Sequence, residues 1–267
     1  MKRILITGGS SGIGYEMSRI WAGQNYEILW VSHDAEELQS SFDLLSSEFP
    51  TVQLHFFQQD LTRENAAVKV KEWADSIGPV GIVINNAGIG TYGHVNEIPL
   101  EKELQMIQLN AISLYRMTRI FLTGMMERNN GTIINICSNS AFQPTPRMTT
   151  YAATKGFVYQ FSRGLQQEMK LQKSKVRIIT VCPAAISDTP FKSHLPPVKT
   201  FNGLATTTAK EVARDVWNGY LGKKDFVISG QKMRWLYRIR FLIPEFIEKK
   251  LVLMETGLEQ KNKNGPL

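Results

Sequence analysis

Residues 4–17, ILITGGSSGIGYEM, decide the fold of this chain, because an apolar strand pattern runs through a glycine-rich turn into a helical pattern. Gly8, Gly12 and Gly14 stand in the spacing G-x3-G-x-G. Glycine permits positive φ angles and lets the backbone approach a ligand closely. The free N–H groups at the start of the following helix suit a pyrophosphate. The stretch therefore predicts a dinucleotide-binding turn, although its spacing differs from the commoner G-x-G-x-x-G pattern.

Outward from this turn, short runs rich in valine and isoleucine alternate with longer helical patterns. Such alternation predicts right-handed βαβ units, and runs that are apolar at nearly every position predict strands covered on both faces. We expect a Rossmann-type, doubly wound α/β fold, with a mainly parallel seven-stranded sheet between two helical layers in a single domain. The predicted strands are 3–6, 27–31, 52–57, 81–84, 132–137, 176–181 and 226–228. The predicted helices include 34–48, 63–77, 101–127 and 151–172.

The composition changes near the C-terminus. Residues 1–230 are expected to form the catalytic and dinucleotide-binding domain, and 231–267 a helical extension packed on that same domain and ending in a frayed tail. Within the extension, 232–254 (KMRWLYRIRFLIPEFIEKKLVLM) combines cations with an apolar helical face interrupted at Pro244. A basic amphipathic helix can lie on an anionic membrane. It can equally cap the substrate entrance or pack in an oligomer interface, and the sequence leaves the three roles open.

Charge and cysteine content narrow the function classes. The chain has 267 residues and a formal net charge of +7, which suits an anionic partner such as a phosphorylated cofactor or a membrane surface. Nucleic acid is not an expected partner, because no binding motif or base-stacking aromatic pattern occurs. Cys137 and Cys182 lie in separate apolar runs and predict neither a disulfide framework nor a metal site.

The same features bear on location. No apolar run reaches the roughly 18 residues needed to span a bilayer. The first predicted strand leads at once into the glycine turn, so we expect no targeting segment before it. The two isolated cysteines fit a reducing compartment. We therefore expect a cytoplasmic protein, with 232–254 as a peripheral membrane contact if that segment has the first of its three roles.

A second group of residues points to proton transfer. Tyr151 and Lys155 are four residues apart in a helical pattern, which places them on one helix face with their Cβ atoms about 6 Å apart. A nearby ammonium favours the phenolate and lowers the pKa of a tyrosine, so the pair could donate and accept protons near neutral pH. Ser138 ends a predicted strand, at the sheet edge where ligands bind, and its hydroxyl could hydrogen-bond a carbonyl oxygen.

From residue 2 to about residue 230 the chain resembles the short-chain dehydrogenase/reductases. The matching motifs are TGGSSGIG (7–14), the aspartate of QQDLT (Asp60), NNAG (85–88), Asn110, and Ser138, Tyr151 and Lys155 in register. The resemblance implies that Ser138 polarises the substrate oxygen, Tyr151 transfers its proton, Lys155 lowers the pKa of Tyr151 and binds the nicotinamide ribose, and Asn110 joins a water chain to solvent. The other cofactor contacts that it implies are Thr7, Gly8, Ser10, Ser11, Gly12, Ile13, Gly14, Asp60, Leu61, Asn86, Ala87, Gly88, Pro183, Ile186 and Thr189.

The chain departs from the family pattern after the sixth strand. The family usually has Pro-Gly, a hydrophobic residue and then a threonine that contacts the carboxamide. Here Ala184 replaces the glycine and Asp188 stands where the threonine is expected. Thr189 with a shift of one residue, or Ser187, could take that role, and the two alternatives stay open.

The end of the second strand bears on the choice of nicotinamide cofactor. An acidic residue there accepts the ribose hydroxyls and repels a 2′-phosphate. By family register the position is Ser32, which is neutral, and His33 follows where relatives that prefer NADP often carry arginine. We therefore favour NADP(H) and leave NAD(H) open. Asp34 would matter if the turn were shifted by a residue or two.

We expect an oxidoreductase that interconverts an alcohol and a ketone or aldehyde, acting as a reductase of an apolar carbonyl compound. The predicted substrate segments contain the apolar side chains of Phe142, Met148 and Phe191, which suggest an apolar substrate. Together with Ser138 and Tyr151, these three residues form the expected substrate site. Residues 185–205 are Pro-rich and long enough for a mobile lid. Family members commonly form homodimers or homotetramers. The alternative is a catalytically silent, dinucleotide-binding regulatory protein with the same fold.

Overall fold

The computed structural model describes residues 2–189, 191 and 206–239. Its strands are β1 Arg3–Thr7, β2 Glu27–Ser32, β3 Leu54–Gln58, β4 Ile82–Asn85, β5 Thr132–Ile136, β6 Arg177–Cys182 and β7 Phe226–Ile228. Its helices are α1 Gly12–Ala22, α2 Ala35–Glu48, α3 Ala66–Ile77, α4 Leu100–Ile107, α5 Leu114–Glu127, α6 Thr149–Leu171, α7 Ala209–Leu221 and α8 Gln231–Ile239. A π-helical turn, Gln108–Ser113, joins α4 to α5, and a 3₁₀ turn, Asn139–Phe142, follows β5.

The strands of the described residues form one parallel sheet in the order β3-β2-β1-β4-β5-β6-β7, which confirms the predicted doubly wound fold. Strand β1 pairs with β2 on one side and with β4 on the other. The chain direction across the sheet therefore reverses between β1 and β4. In such sheets, ligands bind in the crevice beyond the carboxyl ends of the strands at this reversal.

Alternate residues of each strand point to opposite faces of the sheet, and each face has its own apolar core. Ile4 and Ile6 of β1 belong to the core that α1, α2 and α7 cover, together with Met17, Trp21 and Trp30. Leu5, between them, belongs to the core under α3, α5 and α6. Burial on both faces explains why the strands read as continuous apolar runs.

The predicted helix 101–127 is interrupted in the structure. The π-helical turn Gln108–Ser113 lies in its middle, where each backbone N–H reaches one residue further back than in an α-helix. Periodicity did not predict this turn, since the apolar spacing continues through it. The turn contains Asn110, which is completely buried. A second difference concerns Ser138, because β5 ends at Ile136 and Ser138 therefore lies two residues beyond the strand.

The start of the C-terminal extension packs against the sheet and its helices, and the assignment of 231–267 as an extension of the same domain stays a prediction. Met233 and Tyr237 of α8 pack against a cluster that includes buried Val158 and Ile228. Residues 240–254 of the basic segment, and 190 and 192–205 of the predicted lid, lie outside the described residues. None of the described helices combines the length and apolarity needed to cross a membrane. Within residues 2–189, 191 and 206–239, no group of three or more histidines, cysteines, aspartates or glutamates is arranged to hold a metal ion.

Candidate active site

The glycine turn opens a cleft at the carboxyl end of β1. Gly8 and Gly12 have φ angles of 62° and 51°, which side-chain-bearing residues rarely adopt. A Cβ on Gly14 would stand 1.9 Å from the carbonyl oxygen of Gly8, so only glycine lets α1 start this close to the turn. Ser11, Gly12 and Ile13 line the cleft at the N-terminus of α1. Exposed N–H groups and the positive end of the helix dipole therefore face the place where a diphosphate would lie.

Thr7 and Asn86 hold the turn against the loop after β4. The Thr7 hydroxyl accepts hydrogen bonds of 3.0 Å from the backbone N–H groups of Asn86 and Ala87. The Asn86 amide donates to the carbonyl oxygens of Thr7 and Gly8, both at 3.0 Å. The Thr7 side chain is buried between the two loops and is not among the cleft-lining residues. Its place in the predicted cofactor set is therefore corrected to a supporting one, whereas Asn86, Ala87 and Gly88 do line the cleft.

The predicted contacts to the adenosine lie at or just after the ends of β2 and β3, and their contact with a cofactor stays a prediction. Ser32, His33, Asp60 and Leu61 are absent from the described residues that line the cleft. Leu61 is buried in the core under α3, so its side chain is not available to a ligand.

Asp60 is engaged close to its own backbone. One of its carboxylate oxygens accepts hydrogen bonds from the N–H of Thr62 at 2.9 Å and from its hydroxyl at 2.7 Å. Burial pushes the pKa of Asp60 upward, but the Thr62 hydrogen bonds and the charges of Arg63 and His33 outweigh it and hold that pKa below its ordinary value. Asp60 therefore carries a negative charge at neutral pH.

The structure settles the position of Asp34. Its carboxylate caps α2 by accepting a 2.9 Å hydrogen bond from the N–H of Glu37. The acidic side chain that lines the cleft near the glycine turn is that of Glu37, and the Ser10 hydroxyl donates to it at 2.6 Å. Sequence reasoning missed Glu37, because its approach depends on how α2 packs beside the turn.

Strand β5 and helix α6 bring Ser138, Tyr151 and Lys155 to one wall of this cleft. The Lys155 ammonium nitrogen lies 5.7 Å from the centre of the Tyr151 ring and donates a 3.1 Å hydrogen bond to the carbonyl oxygen of Ile136. A Cβ on Gly88 would stand 3.5 Å from the same ammonium, so the loop after β4 closes directly over Lys155. The pairing suggested by the four-residue spacing is thus present on one helix face.

The electrostatics of the pair differ from the sequence expectation. Burial raises the pKa of Tyr151 well above its ordinary value, and the hydrogen bond with Ser138 only partly opposes this. Burial also lowers the pKa of the Lys155 ammonium. Burial is the largest effect on the pKa of Tyr151 and raises it, so the expected lowering of that pKa by Lys155 stays a prediction. At neutral pH the phenol is protonated and can donate.

Asn110 ties the π-helical turn to the loop after β4. Its Oδ1 accepts from the N–H of Ile89 at 3.0 Å, and its Nδ2 donates to the Ile89 carbonyl oxygen at 2.9 Å and to the Thr154 hydroxyl at 3.2 Å. The side chain thus hydrogen-bonds the backbone of a cleft-lining loop and, on α6, Thr154, the residue before Lys155. It positions both, whereas its predicted part in a proton relay stays a prediction.

The segment after β6 forms a further part of the cleft wall. Pro183, Ala184, Ile186 and Thr189 all line it. Ser187 is turned away, since its N–H and its hydroxyl both donate to the carbonyl oxygen of Thr207, at 3.1 and 3.4 Å. Asp188 accepts from the N–H of Ala209 at 2.8 Å, at the start of α7. Of the alternatives left by the sequence, Thr189 is the one that reaches the cleft.

The substrate end of the cleft has an apolar wall. Met148 is buried there, with Tyr92, Tyr151 and Phe191 packed around it, and the Tyr151 and Phe191 ring centres are 5.4 Å apart. The prediction for Phe142 is corrected, because its ring packs away from the cleft against Tyr159, Phe226 and Tyr237. Sequence reasoning also missed polar lining residues at the outer rim, namely Glu97, Lys102 and Gln105.

The whole cleft has a volume of about 870 Å³ and runs without a break from the glycine turn to Met148 and Phe191. A nicotinamide nucleotide fits this donor set, with glycines and a helix N-terminus at one end and a buried ammonium at the other. An elongated cleft of this kind, at the reversal of a doubly wound sheet, defines a dinucleotide-dependent α/β enzyme.

Comparisons with known proteins agree with this class. The family model "short chain dehydrogenase" matches residues 2–199, and the chain belongs to this family of oxidoreductases. A relative named NADP-dependent 3-hydroxy acid dehydrogenase YdfG, from Escherichia coli (strain K12), is 30% identical over 221 residues, which cover 80% of this chain and 87% of the relative.

Two further likenesses bear on length and fold. The very-long-chain 3-oxoacyl-CoA reductase of Bos taurus is 33% identical over 171 residues, 62% of this chain, and the match spans only about half, 54%, of that protein. Among solved structures, a short-chain dehydrogenase from Sphingobium yanoikuyae in complex with NADPH has a TM-score of 0.79 and 25% identity, with 99% of each chain covered.

Proposed function

We propose that this chain reduces an apolar ketone or aldehyde to the alcohol, with NADP(H) as the preferred cofactor. The observation that carries the proposal is the convergence of Ser138, Tyr151 and Lys155 on the wall of the cleft that begins at the glycine turn. The apolar wall around Met148 and Phe191 supports a substrate with a hydrophobic skeleton. Nothing in the site favours the alternative of a catalytically silent protein, because each acid–base group of the expected set is present.

Ser138, Tyr151 and Lys155 have separate roles in the proposed reduction. When bound, the nicotinamide supplies the hydride, and that chemistry belongs to the cofactor. The Ser138 hydroxyl donates a hydrogen bond to the substrate carbonyl oxygen. The Tyr151 phenol, protonated at neutral pH, gives its proton to the same oxygen as negative charge develops there. The Lys155 ammonium then stabilises the phenolate that remains and donates to the ribose hydroxyls.

Cofactor preference rests on the neutral end of β2. Ser32 carries no charge that would repel a 2′-phosphate, and His33 beside it is exposed. The relative that shares 30% identity is named as NADP-dependent, and the Sphingobium yanoikuyae structure holds NADPH. Both support NADP(H), while NAD(H) remains a usable cofactor in this proposal.

The test is a reductase screen that follows NADPH or NADH consumption over carbonyl compounds of increasing chain length, including 3-oxo acids and their thioesters. Turnover of apolar carbonyls is expected. Tyr151→Phe should lower kcat by about 10²–10⁴-fold, the usual contribution of a general acid, and leave NADPH binding nearly unchanged. Tyr159→Phe is the matched control, because Tyr159 lies on the same helix but does not line the cleft, and it should retain activity. Full activity of Tyr151→Phe would refute the mechanism.

An oligomer is part of the proposal. Tyr115 of α5 and Phe157 of α6 are 41% and 42% exposed, and both rings lie against Phe161. Leu100, Leu104 and Ile107 lie exposed on one face of α4, which packs on α6. Exposed apolar patches of this kind mark protein contacts. We assign this surface to a second copy of the chain, in a homodimer or homotetramer.

Membrane contact through the C-terminal extension is also proposed rather than established. On α8, Lys232, Trp235 and Arg238 are exposed at three-residue spacing, and Trp235 is 61% exposed. An exposed tryptophan between two cations suits an anionic lipid surface. Sedimentation with vesicles containing anionic lipid should carry the protein down at low salt and less so after Trp235→Ala. Equal sedimentation of the two proteins, or none of either, would exclude this role for the face.

A further inference from the structure

An acidic side chain with no assigned role lines the cleft beside the glycine turn. Glu37 stands in the first turn of α2, is partly buried and lines the cleft together with Gly8, Ser11 and Gly12. Ser32 and His33, at the end of β2, are not among these lining residues. Helix α2 therefore contributes an acidic side chain to this part of the cleft wall, whereas the end of β2 does not line it.

The position of the Glu37 carboxylate is fixed by its neighbours. Its Oε1 accepts a 2.6 Å hydrogen bond from the Ser10 hydroxyl, and the Ser10 carbonyl oxygen in turn accepts a 2.7 Å hydrogen bond from the Ser41 hydroxyl. At the other end of the residue, the Glu37 N–H donates to the capping carboxylate of Asp34. Ser10 is thus engaged with α2, and its hydroxyl proton is committed to a carboxylate instead of being free for a ligand phosphate.

The charge at this place is not neutralised locally. Among the described residues, no lysine, arginine or histidine forms an ion pair with Glu37. Asp34 adds a second carboxylate within the same helix turn. A carboxylate accepts hydrogen bonds from ribose hydroxyls, whereas a 2′-phosphate brings about two further negative charges toward it.

We propose that Glu37 is a specificity-determining residue that restrains the preference for NADP(H) and keeps NAD(H) usable. The inference rests on the proposed function, since it assumes that the adenosine ribose lies beside the glycine turn and α2. Ser32 adds no negative charge that would repel a 2′-phosphate, whereas the Glu37 carboxylate repels it from the first turn of α2. The ratio of the Kd for NADH to the Kd for NADPH is then smaller than the neutral end of β2 alone would predict.

The test is a charge series at one position, read by direct nucleotide binding. Glu37→Gln removes the charge and keeps an oxygen that accepts from Ser10, so the fold is preserved. We expect the Kd for NADPH to fall about tenfold and the Kd for NADH to change by less than about twofold at low salt, because only NADPH carries the opposed charge. Glu37→Lys should widen the ratio further. Raising the salt concentration should shrink the difference, as expected for an interaction between partly exposed charges.

Glu36→Gln is the matched control, because Glu36 is exposed in the same helix turn and does not line the cleft. An equal change in the Kd ratio for the Glu36 and Glu37 variants would assign the effect to net charge and overturn the proposal. An unchanged ratio in both Glu37→Gln and Glu37→Lys would overturn it as well. Failure of the unaltered protein to bind either nucleotide would defeat the proposed function itself, and the inference with it.

Discussion

Replacing Asn110 with alanine tests how much its side-chain amide contributes to the stability of the fold, independently of proton transfer by Tyr151. Asn110→Ala deletes three hydrogen bonds of 2.9–3.2 Å made by a completely buried amide. Each such bond contributes about 1 kcal/mol net, and a buried backbone group left without a partner costs about 1–3 kcal/mol. Ile89 would lose partners for both its N–H and its carbonyl. We therefore expect a loss of about 3–4 kcal/mol in the free energy of unfolding, and a fall in Tm of about 10 °C for a chain of this size.

The assay is urea unfolding followed by tryptophan fluorescence, with Asn130→Ala as control. Asn130 is exposed in the turn after α5, and its replacement should change the free energy of unfolding by less than about 0.5 kcal/mol. Thr154→Val removes one of these three bonds and also the 2.7 Å hydrogen bond from the Thr154 hydroxyl to the Tyr151 carbonyl oxygen. It should therefore cost about 2 kcal/mol, with the two variants coupled in a double-mutant cycle. A loss below about 1 kcal/mol for Asn110→Ala would refute the view that its amide holds the Ile89 loop.

Asn110→Ala should also change turnover while the protein is still folded. The Ile89–Tyr92 loop lines the cleft, and its release would loosen the wall beside Lys155. We expect KM for the carbonyl substrate to rise and kcat to fall at a temperature well below Tm. Unchanged kinetic constants in the folded variant would show that the loop keeps its place without the amide.

Three further outcomes follow from the same geometry. Because burial raises the pKa of Tyr151, the proposed proton donor stays protonated through neutral pH. The reduction rate should therefore be constant around neutral pH and fall about tenfold per pH unit only on the alkaline side, while the rate of alcohol oxidation should rise with pH. A reduction rate that already falls across neutral pH would contradict the assignment of Tyr151 as proton donor. Gly14→Ala should abolish NADPH binding and cost about 1–3 kcal/mol of stability, because the new Cβ meets the Gly8 carbonyl at 1.9 Å. Its control is Gly164→Ala, where a Cβ meets nothing within 4 Å, and equal behaviour of the two variants would rule out the close approach. Phe157→Glu should convert the oligomer to a smaller species in light scattering, and an unchanged mass would remove the α4–α6 surface as the interface.

The sequence by itself determined the fold class and the order of the motifs. Strands buried on both faces must be apolar at nearly every position, so the runs of apolar residues in the sequence predict β1, β4 and β5. The sequence also predicts the glycine turn, because Gly8 and Gly12 have positive φ angles and a Cβ on Gly14 would collide with the Gly8 carbonyl oxygen. Other residues are therefore excluded at these positions. The spacing of Tyr151 and Lys155 needs only the geometry of one helix turn. Each of these signals is local along the chain.

Only the tertiary structure decided which polar groups reach the cleft. Asp34 and Glu37 are three residues apart, yet Asp34 caps the start of α2 whereas Glu37, in its first turn, lines the cleft. Phe142 belongs to an aromatic cluster with partners some 17 to 95 residues away, and Thr7 bonds to a loop about 80 residues on.

The pKa of Tyr151 shows the same limit. Its neighbour at helical spacing predicts a more acidic phenol, but the residues that bury it come from separate segments and raise its pKa instead. Burial depends on surfaces contributed by distant parts of the chain, and no pattern within a single element reports it. The residues of the proposed acid–base set could therefore be predicted from the sequence, whereas the pKa of Tyr151 and the burial of Tyr151 depended on packing.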